Sequence, residues 1–161
     1  MIVIVMGVVG AGKTTVGKLL ASQLGWEFAD ADDFHPQSNV DKIRYGIALT
    51  DVDREPWLDH LKEAIVRWID EGKSVVLACS ALKRAYRTKL LLSSQVRFVY
   101  LKGSTALIAD RLRSRHGHFA GESILASQLA DLEEPEKAIT VDISGTPEQI
   151  VAEIKRGLAM E

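Results

Sequence analysis

The sequence predicts an α/β fold in which a parallel sheet carries helices on both faces. Three observations lead there. Five short apolar runs recur along the chain, and segments with helical spacing of their apolar residues separate them. The runs are rich in Val and Ile and mostly unbroken by polar residues, as parallel strands buried on both sides require. A glycine-rich turn joins the first run directly to the first helical segment, and right-handed crossovers then place helices on both faces.

The first strand is Ile2–Met6, and the helix after the glycine turn stops at Gly25, a fitting C-terminal cap. Trp26–Asp30 is a short second strand, followed by a dense polar turn through Pro36. Asn39–Tyr45 reads as a short helix closed by Gly46. A long helix runs from about Asp53 to Asp70, with Asp51 or Asp53 as its cap and Pro56 in its first turn. Trp57, Leu61, Ala64, Ile65 and Trp68 recur at helical spacing and form its inner face. Ser74–Cys79 is the third strand, Ala81–Leu92 a helix and Arg97–Leu101 the fourth strand. Thr105–Arg115 and Ser123–Leu132 are helical, with a glycine interruption between them. Ile139–Ile143 is the fifth strand, and Pro147 opens the last helix.

The chain has 161 residues, most simply one domain over 1–161 and enough for a real core. Its net charge of −2 gives no basic footprint, which argues against nucleic acid as the main partner. One cysteine excludes an internal disulfide and a cysteine-built zinc site, and suits a reducing cytoplasm. No signal peptide pattern is present. No apolar run approaches the ~20 residues of a membrane span, so no membrane partner is expected.

The glycine turn reads Gly7-Val8-Val9-Gly10-Ala11-Gly12-Lys13-Thr14, then Thr15. This is G-x-x-x-x-G-K-[ST], the phosphate-binding P-loop, with the strand before it and the helix after it that a chance match would lack. The glycines let backbone N–H groups close in on phosphate oxygens, and the new helix points its positive end at the same place. Lys13 supplies charge for the β- and γ-phosphates, and Thr14 a hydroxyl ligand for Mg²⁺. The chain is therefore expected to bind a nucleoside triphosphate.

Ligands of such sheets sit beyond the carboxyl ends of the strands. A P-loop also needs a carboxylate near its metal, often at the end of strand 3, but Ala78-Cys79-Ser80 contains none. The acids instead follow strand 2, at Asp30, Asp32 and Asp33. One can hold a metal-bound water and another can accept a proton from a substrate hydroxyl. The alternative is a solvated acidic turn with an aspartate capping the next helix. After strand 3, Lys83 and Arg87 lie four residues apart, so they share a helical face. With Arg54, Lys42 and Arg44 they suggest an anionic substrate, against the alternative of solvated helix faces. The basic, glycine-broken stretch Arg111–Gly121 fits a lid over a nucleotide. In it Arg111 can stack on a base and Arg115 can reach the phosphates.

At these residues the sequence resembles the gluconokinase family of small P-loop kinases, over nearly the whole chain. The P-loop block is generic. More particular are Asp30-Ala31-Asp32-Asp33-Phe34-His35-Pro36 with Asn39 and Lys42, and Asp51-Val52-Asp53-Arg54-Glu55-Pro56-Trp57-Leu58. Cys79-Ser80-Ala81-Leu82-Lys83 with Tyr86-Arg87, Gly117-His118-Phe119 and Ser127-Gln128-Leu129 complete the pattern. The resemblance implies the three-layer shikimate- and nucleotide-kinase-like fold, sheet order 2-3-1-4-5, with a helical lid over about 112–132. It implies transfer of a phosphoryl group from ATP, with Mg²⁺, to D-gluconate, in a homodimer. By position, Gly7 to Thr15 and Arg111 hold the nucleotide, and Thr14 and Asp30 the metal. Asp32 is the base candidate, with Lys13 and Arg115 acting on the transferred group. Asp32, His35, Arg54, Lys83 and Arg87 look like the substrate pocket. The family often has Pro at the position of Ala48 and Met-Pro at that of Ala120-Gly121, which loosens the loop and alters the lid here.

Three other readings compete. A shikimate-kinase-like enzyme would share the fold but differ after strands 2 and 3. A regulatory P-loop NTPase would turn over without an acceptor and needs no lid. A non-enzymatic ATP-binding module would leave the remaining site residues unexplained.

Overall fold

The computed structural model describes residues 1–116 and 120–159, with side chains for 1–114 and 124–159. The strands are β1 (Ile2–Met6), β2 (Glu27–Asp30), β3 (Val75–Ala78), β4 (Val96–Lys102) and β5 (Ile139–Asp142). The helices are α1 (Lys13–Leu24), α2 (Gln37–Arg44), α3 (Asp51–Asp70), α4 (Arg84–Leu90), α5 (Thr105–His116), α6 (Ala120–Asp131) and α7 (Pro147–Gly157). A 3-10 turn at Ala31–Phe34 links β2 to α2.

The sheet is wholly parallel in the expected order β2-β3-β1-β4-β5. β1 lies at its centre, with Ile2 level with Val75 on one side and Val96 on the other. All five of its residues are fully buried, because side chains of alternate residues enter opposite layers. Val3 and Val5 join α1, α5 and α7 in one core. Ile2, Ile4 and Met6 join Trp57, Leu61, Ile65 and Trp68 of α3 and Tyr86 and Leu90 of α4 in the other. With β1 held from both sides, the loop that follows it starts from a fixed point.

Two boundaries that bear on the site differ from expectation. Helix α3 is capped by Thr50, in place of Asp51 or Asp53. Thr50 Oγ1 accepts from the Asp53 N–H and the Asp53 carboxylate accepts from the Thr50 N–H, a reciprocal box. Asp51 is then available to side chains from α4 and the turn before it. The helix after β3 begins at Arg84, so Lys83 is its cap residue and does not share a helical face with Arg87. The preceding turn contains Ala81 at φ 45°, a left-handed conformation that no helix can include.

Candidate active site

Three cavities run in sequence across the carboxyl edge of the sheet. The middle one, about 360 Å³, is lined by Gly10, Gly12, Lys13, Thr14 and Thr15 of the loop and by Asp30 and Asp32 after β2. It shares Gly10, Gly12 and Thr15 with a cavity of about 540 Å³ bounded by Asp110, Arg111, Gly145 and Pro147. On its other side it shares Val9, Asp32, Ser80 and Gln128 with a cavity of about 440 Å³. That third space is walled by His35, Ile47, Leu49, Arg54 and Trp57.

The loop is built for an anion. Gly10 has φ 82°, and a Cβ there would stand 2.8 Å from Leu112 Cγ on α5. Gly12 turns at φ 97° into α1, whose first N–H groups receive no side-chain cap. Lys13 Nζ donates to the Val8 carbonyl at 3.0 Å. Burial lowers the Lys13 pKa, while Asp32, Cys79 and Asp30 pull it up. A phosphate in this space would meet uncapped N–H groups and a desolvated ammonium, so the donor set fits a nucleotide polyphosphate. Among the described residues no group of three or more His, Cys, Asp or Glu could hold a metal alone. Thr14 and Asp30 line the same cavity, however, which suits Mg²⁺, an ion that takes one or two protein oxygens beside phosphates and water.

The carboxylates sit where the chain leaves β2. Asp30 Oδ1 caps the 3-10 turn by accepting from the Asp32 N–H at 2.9 Å. The Trp57 indole N–H donates to the Ala31 carbonyl at 2.7 Å and pins the turn to α3. Asp32 thus stands on the seam between the middle and third cavities. Partial desolvation by the cavity walls and then the Asp30 carboxylate raise its pKa, and Lys13 opposes the rise. A carboxylate so placed can take up a proton from a group bound in the third cavity.

The expected substrate residues separate into two sets. His35 and Arg54 wall the third cavity. His35 stacks on Trp57, ring centroids 4.6 Å apart at 12°. Its pKa is held down to about 4, by burial and then by Arg54, so the ring is neutral. Arg54 donates to the Tyr86 hydroxyl at 2.8 Å and pairs with Asp131 of α6 at 3.4 Å. Lys83 does not line this cavity; its Nζ pairs with Asp51 at 2.8 Å, and the Tyr86 hydroxyl donates to the same carboxylate oxygen. Arg87 does not line it either. Its guanidinium, largely buried, donates to the carbonyls of Ala81 (2.7 Å), Leu82 (3.0 Å) and Glu133 (2.7 Å). Arg87 therefore fastens the strained Ala81 turn to the segment after α6.

Arg111 lines the 540 Å³ cavity, with Nη2 donating to the Ile143 carbonyl at 2.5 Å. The side chain of Arg115, the residues Gly117, His118 and Phe119, and the side chains of Ala120 and Gly121 lie outside the described residues. Cys79 is buried, and burial pushes its thiol up to about 12, as befits a small core residue. Sequence reasoning passed over Gln128, whose Oε1 accepts the Val9 N–H at 2.6 Å, and Asn39, Tyr86 and Asp51. Each belongs to one of the motifs shared with the gluconokinase family, but nothing local says which part of a distant element it will meet.

A central β1, a glycine loop feeding α1, and cavities on both sides of that loop define a small P-loop kinase domain. A family profile described as shikimate kinase matches residues 9–158. A probable gluconokinase of Xenopus tropicalis is 45% identical, covering 96% of this chain and 92% of that protein. The gluconokinase of Gluconobacter oxydans is 44% identical, covering 98% and 91%. The crystal structure of a gluconokinase from Sinorhizobium meliloti 1021 superposes with TM-score 0.88 at 41% identity, covering 98% of this chain and 90% of that one. The shikimate kinase of Aquifex aeolicus, at 19% identity and TM-score 0.61, shares the fold. The chain belongs to the gluconokinase family.

Proposed function

We propose that the chain transfers the γ-phosphoryl group of ATP to the terminal hydroxyl of D-gluconate, giving 6-phospho-D-gluconate and ADP. The observation that carries the reading is Asp32, set on the seam between the Lys13 phosphate cavity and a separate cavity walled by His35 and Arg54. A simple NTPase needs no such second chamber. The gluconokinases that the chain matches along nearly its whole length support the choice of acceptor.

The base and ribose of ATP take the 540 Å³ cavity beside Arg111. The loop from Gly7 to Thr15 holds the phosphates through those of its backbone N–H groups that are not already bonded, and Lys13 offsets charge on the transferred group. Thr14 and Asp30 would hold a magnesium ion, which would supply further charge neutralisation for the phosphates. Arg54 holds the sugar-acid carboxylate, and His35 faces a hydroxyl. Asp32 orients the terminal hydroxyl and receives its proton. Helices α5 and α6 serve as the lid, with Arg115 on the transferred group. Catalysis is then positioning and electrostatics in a space closed to water. Lys83 and Arg87 act at a distance, through Asp51 and the Ala81 turn. A homodimer and a cytoplasmic setting belong to the same reading, the first from the family resemblance and the second from the lone cysteine.

The test is ADP release from ATP and Mg²⁺ with no acceptor, with D-gluconate, with other sugar acids and with shikimate. Release that requires D-gluconate supports the proposal. Release without any acceptor points to an NTPase, and release with shikimate alone overturns the acceptor assignment.

A further inference from the structure

Asn39 is buried in α2, 2% exposed, and does not itself line any of the three cavities. Its Nδ2 donates to the Asp53 carbonyl at 2.7 Å. A carbonyl oxygen only accepts, so this contact settles which end of the amide is the nitrogen. The same nitrogen lies 3.2 Å from His35 Nδ1. It carries a second hydrogen and has no acceptor capacity. His35 Nδ1 must therefore be the bare, accepting nitrogen, and the proton of the neutral ring is on Nε2. Both orientations are fixed by their contacts. A flipped Asn39 would set its oxygen against the Asp53 carbonyl, and a flipped His35 would put a carbon in place of Nδ1 against the Asn39 amide. Nε2 points towards Asp32, 3.9 Å from its Oδ1, along the wall of the third cavity.

We propose that Asn39 is a positioning residue that locks His35 as its Nε2–H tautomer, so that a fixed neutral donor stands beside the Asp32 carboxylate. A donor and an acceptor side by side match one hydroxyl group, which accepts from His35 and donates to Asp32. That the hydroxyl belongs to a sugar acid rests on the function proposed above; the tautomer lock does not. Burial and Arg54 keep the ring uncharged at neutral pH, which the lock requires.

The experiment is long-range ¹H–¹⁵N correlation of the imidazoles in the full-length protein at neutral pH, with steady-state kinetics on the same samples. For the unaltered chain His35 is expected to show a protonated Nε2 and an unprotonated Nδ1. Asn39→Asp offers Nδ1 an acceptor and should draw the proton there; Asn39→Ala, the milder change, should give a mixture of tautomers. In both, kcat/KM for D-gluconate should fall by about tenfold, the effect of one misplaced hydrogen bond, while the KM for ATP stays within about twofold. A protonated Nδ1 in the unaltered chain overturns the lock without any variant. A changed tautomer with unchanged acceptor kinetics overturns its positioning role. A protonated Nε2 in a chain that ignores D-gluconate supports the lock and discards the proposed acceptor.

Discussion

The backbone N–H of Val9, in the phosphate loop, donates to Oε1 of Gln128 on α6 at 2.6 Å, across 119 residues of sequence. Gln128 therefore couples the helix proposed as the lid to the loop that would hold the nucleotide. Gln128 lines both the 360 Å³ and the 440 Å³ cavity, and with its oxygen committed to Val9 it is the amide nitrogen that can donate to a group bound there. Gln128→Ala should lower kcat by about tenfold, the loss of roughly one hydrogen bond, with little change in Tm. Glu at the same position keeps the acceptor oxygen and loses the donor. Equal kcat for the unaltered chain, Gln128→Ala and Gln128→Glu would remove Gln128 from the transfer step.

Asp32→Asn should cut kcat by about 10²-fold or more while the Kd for ATP is nearly unchanged, as expected for loss of a base. The raised pKa of Asp32 sets a sign. A base works ionised, so the acid limb of kcat/KM should lie above the ordinary 3.8 of an aspartate and be absent from the variant. A limb retained in Asp32→Asn would assign the titration to another group.

His35 gives a stability prediction. Its folded-state pKa is near 4 against 6.5 for an ordinary histidine. Between these values the unfolded chain takes up a proton that the folded chain refuses. The His35 contribution to stability is thus intact above 6.5 and declines as the pH falls towards about 4. Urea midpoints of the unaltered chain and His35→Gln should converge across that interval. Midpoints that run parallel would mean that His35 is not buried neutral.

Arg87→Ala tests a structural role for a residue that its sequence position offered to the substrate. Removing it leaves the carbonyls of Ala81 and Glu133 without the guanidinium donor and that of Leu82 with only the Glu133 N–H. The loss should be about 3 kcal/mol, a Tm drop on the order of 10 °C. A Tm within about 2 °C of the unaltered chain, less than 1 kcal/mol, would return Arg87 to consideration as a binding residue.

What could be read from the sequence was whatever is specified locally. Ile2–Met6, the glycine loop and Gly25 each fix their own conformation, and the apolar stripe of α3 declares its buried face without help from a partner. The position of Asp32 followed from its place just beyond β2, because strand ends converge in a parallel sheet. The destinations of long side chains did not follow. Lys83 and Arg87 have similar chemistry at helical spacing, yet one meets Asp51 and the other three carbonyls. That division depends on the Ala81 turn at φ 45°, which an ordinary alanine does not announce. Thr50 displaced the aspartates as the cap of α3 because Asp53 could answer it from three residues on, while Lys83 and Tyr86 claimed Asp51 from elsewhere in the chain. Gln128 and Asn39 meet distant partners through amide contacts, and periodicity carries no trace of those.

The most direct measurement is the ³¹P spectrum, recorded with proton coupling, of the product made from ATP and D-gluconate by the purified chain. Transfer to the terminal hydroxyl puts phosphorus next to a CH₂ group, so a phosphomonoester triplet is expected, appearing as fast as ADP and absent with Lys13→Ala. A doublet would mean transfer to a secondary hydroxyl and a different substrate orientation at Asp32. Inorganic phosphate alone would mean that water is the acceptor, contradicting the proposed kinase activity.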